Sequence, residues 1–476
     1  TLFGAQPPKG QELDDHYFGA IRTRVSAYMK DLDEQLWRLG ILSKTKHNEV
    51  APCQHEMAPI YTDASSACDA NQLVMMIMKK CAAKHDLVCL LHEKPFASVN
   101  GSGKHNNWSL CTDSGKNLFK PGKTPRQNAQ FLVFLAAFIQ GIDEYQDWLR
   151  CTVAYAGNDH RLGANEAPPA ILSVFLGDEL TAVVESIING TNYTDPEKSL
   201  VRIGVDVLPS IPKDTTDRNR TSPIAFTGNK FEFRMLGSSQ SIAGPNIALN
   251  TIMAEELGKF ADILERAEDF DTALQKLVCD TFTAHQRIIF NGNGYSMQWQ
   301  EEAARRGLSN LKTTAEALPY YIAPKNIDLV TKHGIYSEAE FRARYEIHLE
   351  AYSKLLRIEA RTMVDMVLHQ ILPTGLSYSS DLSKGLLRKQ ELGIPAKCEQ
   401  DLVNRLSQCC DRLYEATETL AAHLKQVPQG TEAAAGYYGS TIREEMAAIR
   451  KAADLLEKLT AKSYWPYPTY SDILYY

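Results

Sequence analysis

The sequence predicts a mixed α/β fold in its first half and a mainly helical second half. Before about residue 245, short alternating or apolar runs predict strands that are interspersed with helices. After that point, long segments place apolar residues at helical spacing, with polar residues between them. The predicted domains are therefore residues 1–245, which carry the polar motifs, and residues 246–476, which look architectural.

The elements of the first half follow from periodicity and from helix start and stop signals. Helices are predicted at 17–39, with Gly40 as the stop, at 69–84, from Pro125 to about Arg150, and from a cap at Asp178 to near Gly190. A strand and a bend are predicted in HNEVAPCQHEMAPIY, residues 47–61, a short buried strand at 87–91, and an alternating strand at 230–235.

Four long amphipathic helices are predicted in the second half, at residues 246–268, 337–372, 398–426 and 441–460. Ser337 with Glu340, and Thr441 with Glu444, have the spacing of capping boxes. Pro373 is predicted to end the longest helix, because proline cannot donate the helical hydrogen bond.

Composition excludes some classes of protein. The 476 residues are 44% hydrophobic and 23% charged, as in a soluble globular chain, and the net charge of −7 weighs against nucleic acid as the partner. The longest apolar run, 131–139, is far shorter than the roughly 20 residues of a membrane span. Ten cysteines without a CxxC pair are typical of reduced thiols, so we expect a cytoplasmic protein, with an organelle left open.

Residues 92–109, HEKPFASVNGSGKHNNWS, are the most informative stretch. The small residues after Asn100 let the backbone approach a ligand closely, and His105 offers an imidazole nitrogen. On a strand, Asn107 and Ser109 share the face of His105. This pattern suits a metal–nucleotide site, and an ordinary surface turn before a strand is the alternative.

Several acids and arginines could complete such a site. Glu49 and Glu56 flank a proline bend, and two convergent carboxylates are a common magnesium arrangement. KFEFRM places Glu232 and Arg234 on one strand face. The alternative for each is a solvated surface charge.

Two polar loops carry further candidates. GNDHRLGANEAPPA, residues 157–170, contains Arg161 and Glu166 and could act as a lid over a reacting phosphate. DRNRTSPIAF, residues 217–226, offers Arg218 and Arg220 to a carboxylate or phosphate. Ordinary surface loops are the alternative for both.

Taken in order, these segments resemble glutamine synthetases. The motifs are NxEVxPxQxE from Asn48, NGSGxHxNxS, RLxxxE followed by AP, NR-[ST]-S, and FEFR. LFGAQPPKGQELDDHYFGAI and NKFEFRMLGSS resemble the large type III branch, and the resemblance covers the whole chain. It implies a distorted barrel-like sheet with a helical C-terminal extension.

The resemblance also implies roles for the matching positions. Glu49 and Glu56 would hold one Mg²⁺ or Mn²⁺, and His105 and Glu232 a second. Glutamate would be bound by Asn100, Gly101, Arg161, Arg220 and Arg234. Nucleotide contacts would come from Asn107, Ser109 and Lys230. Tyr17 and Glu166 would carry out the ammonium chemistry, and Arg161 would also be catalytic.

The implied activity is ATP-dependent ligation of ammonium to glutamate by a homo-oligomeric ring enzyme, expected as a double-ring dodecamer. A γ-glutamyl ligase for another amine, a guanidino kinase and a non-catalytic assembly relative are the alternatives. The family's upstream E-x-E strand and N-terminal β-grasp domain have no match here, so we expect them to lie before Thr1. Ala225 lies near the place where other branches carry a second phosphate-facing arginine, and Lys230 replaces another basic position. Both differences weaken the assigned nucleotide contacts.

Overall fold

The structure is a computed structural model that describes residues 17–51, 53–94, 100–163, 167–191, 200–201, 211–212 and 221–468. Of the predicted site residues, Glu166 and Arg220 lie outside these ranges.

The first half mixes helices and short strands. The strands are β1 Ser43–Asn48, β2 His55–Pro59, β3 Lys104–Trp108, β4 Val174–Phe175, β5 Leu200–Val201, β6 Ile211–Pro212, β7 Ile224–Phe226 and β8 Phe231–Leu236. The helices are α1 Thr23–Trp37, α2 Ala64–Lys84, α3 Ala129–Glu144, α4 Gln146–Cys151, α5 Ala156–Arg161 and α6 Gly177–Ile188, with a 3₁₀ turn at Pro125–Gln127.

The described residues form three sheets. The largest has the order β3-β8-β7-β4, in which β8 pairs antiparallel with both β3 and β7, and β4 pairs parallel with β7. β1 and β2 form an antiparallel hairpin, and β5 and β6 a second short antiparallel pair. In the described ranges the four-stranded sheet stays open, so the barrel-like expectation is replaced by an open sheet covered by helices.

Helices make up the second half. They are α7 Ala243–Glu265, α8 Phe270–His285, α9 Met297–Arg305, α10 Thr314–Ala317, α11 Pro324–Lys332, α12 Glu338–Met366, α13 Leu372–Glu391, α14 Lys397–His423, α15 Thr431–Tyr437 and α16 Arg443–Leu459. Short 3₁₀ segments lie at Gln286–Ile288 and Leu318–Ile322, and π-helical turns at Val367–Ile371 and Tyr438–Ile442.

The mixed fold with a helical C-terminal part is confirmed. The proposed division at residue 245 stays a prediction, since the large apolar core runs continuously from Trp108 to Trp465. A second, smaller core lies between α1 and α2. Over the part of the chain that is described, no helix combines the length and apolarity needed to cross a membrane.

Four local predictions are wrong. Residues 87–91 form no strand, and Val88 and Leu90 are 83% and 74% exposed. Asp178 lies in the first turn of α6 instead of capping it. The helix continues past Pro373, because the π-turn just before it places the proline in the first turn of α13, where its missing N–H costs little. Thr441 likewise lies inside a π-turn and caps nothing.

Candidate metal centre and substrate site

The paired strands β3 and β8 position the first group of polar side chains. The inner side of β3 is anchored to α7, because Asn106 donates to Asn246 at 2.8 Å and the Trp108 indole donates to Asn250 at 2.9 Å. His105 and Asn107 therefore lie on the opposite face, as alternation predicts. Asn107 is exposed and lies across from Glu232 in the register.

His105 and Glu232 are in direct contact. The His105 Nδ1 lies 3.2 Å from the Glu232 Oε1, and the two side chains are 8% and 18% exposed. Arg234 lies on the same strand face, and its Nε and one terminal nitrogen lie 2.9 and 2.8 Å from the Glu232 Oε2. Burial alone would raise the pKa of the Glu232 carboxyl, but hydrogen bonds and charges from His105 and Arg234 hold that pKa well below its ordinary value.

The β1–β2 hairpin forms the second group. His47, Glu49 and Glu56 bring potential ligand atoms within 4.8 Å of one another. The His47 Nε2 lies 2.9 Å from the Glu56 Oε2 and 3.9 Å from the Glu49 Oε1. Tyr17 packs edge-on against the His47 ring at 5.5 Å between centroids. The hairpin therefore brings Glu49 and Glu56 together despite the bend between them.

A glutamine joins the two groups. Gln54, in the turn of the hairpin, accepts a hydrogen bond from the Ser102 backbone N–H at 3.1 Å and donates to the Ser102 carbonyl at 3.2 Å. Ser102 precedes His105 by three residues, so this pair of bonds attaches the hairpin to the start of β3. The hairpin that carries the carboxylate cluster is thus tied to the segment that leads into His105.

The donor set fits divalent cations. The His105 Nε2 is buried, and no hydrogen-bond partner for it is found among the described residues. A buried polar atom without a partner costs free energy, which binding of an ion would recover. Carboxylates with one imidazole are ligands that Mg²⁺ and Mn²⁺ accept.

Helix α5 places Arg161 against the end of strand β8. Its terminal nitrogens donate to the backbone carbonyls of Arg234 at 2.8 Å, Met235 at 3.2 Å and Leu236 at 3.1 Å. The side chain is 2% exposed, and burial lowers the pKa of the guanidinium to about 10. Both terminal nitrogens of Arg161 are therefore engaged by strand β8.

Comparison with known proteins gives two family models and several matches that cover the whole of this chain. The model for the glutamine synthetase catalytic domain matches residues 7–170, and the model for the glutamine synthetase C-terminal domain matches residues 273–390. A glutamine synthetase of Butyrivibrio fibrisolvens is 48% identical over 484 residues, covering 100% of this chain and 68% of the relative. The chain belongs to the glutamine synthetase family.

Other relatives agree. The type-3 glutamine synthetase of Dictyostelium discoideum is 45% identical, covering 100% of this chain and 66% of the relative. A glutamine synthetase of Bacteroides fragilis is 42% identical, covering 100% of this chain and 67% of the relative. The chain thus spans about two thirds of the length of these glutamine synthetases.

Solved structures give a weaker likeness. Apo GmaS without ligand aligns with a TM-score of 0.43 at 18% identity, over 70% of this chain and 60% of that chain. A glutamine synthetase of Plasmodium falciparum, solved by cryo-electron microscopy, aligns with a TM-score of 0.38 at 14% identity, over 61% of this chain and 60% of that chain.

The predicted nucleotide residues lie around the β7–β8 turn and the end of β3. The Ser109 hydroxyl donates to the Asn229 carbonyl at 2.7 Å, next to Lys230, whose own carbonyl accepts the Thr227 N–H. Asn107 is exposed two residues before Ser109. Their contacts with a nucleotide stay predictions.

The predicted substrate loop is closely packed. Gly101 is buried, and a Cβ there would overlap the Glu93 carbonyl. Asn100, the residue before Gly101, is partly exposed. The small residue at 101 is therefore explained by a backbone contact, while substrate binding by Asn100 and Gly101 stays a prediction.

Sequence reasoning gave no role to three residues that organise the site: His47, Gln54 and Glu93. His47 precedes Asn48 on β1, and Gln54 is part of the NxEVxPxQxE motif, so both carried a signal. Glu93 carried none. It is 3% exposed, accepts the Ser238 N–H at 2.6 Å and contacts the Tyr155 hydroxyl, which fixes the backbone around Gly101.

Proposed function

We propose that this protein ligates ammonia to L-glutamate at the expense of ATP, through a γ-glutamyl phosphate intermediate. Family membership supports the reaction class. The observation that carries the proposal is the pair of clusters of potential cation ligands, His47–Glu49–Glu56 and His105–Glu232, whose segments are joined by Gln54.

Two divalent cations, Mg²⁺ or Mn²⁺, suit these groups. Glu49 and Glu56 would hold one, and His105 and Glu232 the other. Bound cations would neutralise the phosphoryl oxygens of ATP as phosphate moves to the substrate carboxylate. Without a cation, Arg234 already forms an ion pair with Glu232 and His105 contacts the same carboxylate, so the site favours an anionic carboxylate at that position.

The charged residues of the chain would orient the substrates. Arg234 occupies the same strand face as Glu232 and would share its guanidinium between that carboxylate and the transferred phosphate. Arg161 would act mainly by positioning, because three of its bonds hold the end of β8. Asn100 and Gly101 would bind the α-amino end of glutamate, and Arg220 a carboxylate or phosphate.

Ammonium chemistry falls to Tyr17 and Glu166. Tyr17 lies beside His47 at the edge of the carboxylate cluster, where a phenol can contact a small cation. Glu166, in the predicted lid, would accept a proton from ammonium once the pocket is closed. Asn107, Ser109 and Lys230 would contact ATP near the β7–β8 turn.

The proposed assembly is a ring of identical subunits, doubled to a dodecamer, working in the cytoplasm. The long helices of the second half, such as α12, would then cover ring surfaces or join two rings. Light scattering of the full-length protein tests this, and a monomer at working concentration would contradict it.

The test of the reaction is the amount of phosphate and glutamine formed from ATP, glutamate and ammonium with Mg²⁺. His105→Ala should lower Mg²⁺-dependent glutamine formation by about 100-fold or more, since even outer partners of metal ligands are worth roughly 10- to 100-fold. The thermal midpoint of the metal-free protein should change little.

His369→Ala is the matched control, because His369 is 70% exposed and its 3.7 Å pair with Asp365 lies at the surface. It should keep full activity. Equal loss of stability and activity in His105→Ala would mean that His105 is structural. Faster turnover with an alkylamine than with ammonium would favour the γ-glutamyl ligase for another amine.

A further inference from the structure

A second group of metal-ligand atoms lies away from the site described above, between α1 and α2. Cys81 and His85 are four residues apart, so they lie on one face at the C-terminal end of α2. Asp31 of α1 faces them across the smaller core. These three side chains bring one ligand atom each within 4.8 Å of the others.

The distances fit a tetrahedral ion. A zinc ion with Zn–S near 2.3 Å and Zn–N and Zn–O near 2.0–2.1 Å separates neighbouring ligand atoms by about 3.3–3.6 Å. The Asp31 Oδ2 lies 3.3 Å from the Cys81 Sγ and 3.1 Å from the His85 Nε2. The two distances to Asp31 therefore lie within a few tenths of an ångström of the tetrahedral values, and the ligand atoms of Cys81 and His85 lie within 4.8 Å of each other.

The surroundings of Asp31 also fit a metal ligand. One of its oxygens, Oδ2, faces both Cys81 and His85, while the other, Oδ1, accepts a hydrogen bond from the Gln35 amide at 3.0 Å. A carboxylate that binds an ion through one oxygen is commonly oriented by a hydrogen bond to the other. A purely structural triad does not need this division between the two oxygens.

Ligand chemistry distinguishes this group from the acidic site. A thiolate with an imidazole selects zinc over magnesium, whereas the carboxylates of the hairpin suit hard cations. Cys81 is fully buried, and burial raises the pKa of its thiol to about 11, so the metal-free group is an inert thiol. Binding of zinc would displace the thiol proton to solvent and leave a thiolate.

We propose that Asp31, Cys81 and His85 form a zinc site that links α1 to α2, with water in the fourth position. The ion ties the two helices of the smaller core at one end. Leu32, Leu36, Val74 and Ile77 already join them along the apolar face.

The probe is Co²⁺ added to chelator-treated, full-length protein in a large excess of Mg²⁺, which occupies the carboxylate sites. Cobalt bound by a thiolate gives a charge-transfer band in the near ultraviolet. Wild type should develop that band with one ion per chain, and Zn²⁺ should abolish it by displacement. Absence of the band, or displacement by Mg²⁺, would overturn the proposal.

Variants locate the ion. Cys81→Ser should remove the band, while His85→Gln and Asp31→Asn should weaken binding by roughly tenfold or more. Cys409→Ser changes another buried thiol and should keep the band. Cys53→Ser changes the cysteine nearest the acidic cluster in sequence, so loss of the band there would place the ion at the hairpin and refute the proposal.

Stability gives an independent readout in case Cys81→Ser does not fold. His85 lies at the C-terminal cap of α2 and is 23% exposed, so His85→Gln should fold. Zn²⁺ should raise the thermal midpoint of wild type and of Cys409→Ser, and leave that of His85→Gln unchanged. An equal rise in all three would mean that zinc binds elsewhere, and the site would be refuted.

Discussion

Asp159 offers the sharpest test of how the C-terminal helices support the catalytic half. Its carboxylate is fully buried and accepts hydrogen bonds from the Thr314 N–H at 2.8 Å, the Thr314 hydroxyl at 2.7 Å and the Tyr352 hydroxyl at 2.8 Å. Arg443 lies 3.7 Å away and donates to the Asp159 backbone carbonyl at 2.9 Å. Helix α5 is thereby fastened to α10, α12 and the start of α16.

Asp159→Ala removes both acceptor oxygens of that buried carboxylate and leaves Arg443, whose side chain is 20% exposed, without its counter-charge. Breaking a buried ion pair from one side costs about 3–5 kcal/mol. Since 1.4 kcal/mol is about tenfold, local opening of α5 should become at least ~100-fold more frequent. Asp159→Asn keeps an oxygen for Thr314 and should have a smaller effect.

Hydrogen exchange followed by mass spectrometry measures this directly, on the peptide that spans residues 153–163. Asp365→Ala is the control, because that surface carboxylate is 70% exposed and its pair is worth little. If Asp159→Ala accelerates exchange in this peptide by less than about fivefold, the network does not hold α5, and Arg161 must be positioned by β8 alone.

Three further predictions concern the site itself. Gly101→Ala should cost about 1–3 kcal/mol and lower activity, as seen in the thermal midpoint and turnover, because its Cβ would overlap the Glu93 carbonyl. In metal-free protein, Glu232→Gln should flatten the acid side of the stability–pH profile. The folded Glu232 carboxyl has a lowered pKa, so its contribution is present above the ordinary value of 4.5 and is lost as pH falls below it. Glu166→Ala should raise the ATP hydrolysed per glutamine formed while sparing nucleotide binding, and unchanged coupling would contradict the lid mechanism.

Motif spacing predicts part of the geometry of the candidate site. FEFRM alternates, so Glu232 and Arg234 were expected on one strand face, and their ion pair follows from that parity. The bend in NxEVxPxQxE breaks parity, so the meeting of Glu49 and Glu56 could not be predicted from spacing alone. It depends on the hairpin and on the His47 ring between the two acids.

Other features depend on tertiary contacts that leave no local signal. Residues 87–91 have the composition of a buried strand, but within the described ranges no neighbouring strand pairs with them. Pro373 is a reliable helix stop only when the preceding turn is α-helical, and here a π-turn precedes it. The structural role of Glu93 can be recognised only in the fold, where Tyr155 and Ser238 contact its carboxylate.

The close backbone approaches around Glu93 have a consequence for variation among related sequences. A side chain at Gly101 would strike the Glu93 carbonyl, one at Gly103 the Leu236 carbonyl, and one at Gly237 both Tyr155 and the Glu93 carboxylate. Selection for activity should therefore purge every substitution at the three positions, as it would at a metal ligand. An invariant glycine at these positions would reflect the lack of space for a side chain, whereas an invariant metal ligand would reflect catalysis. A selection experiment can separate these two causes, because only the glycine variants should also lose soluble expression.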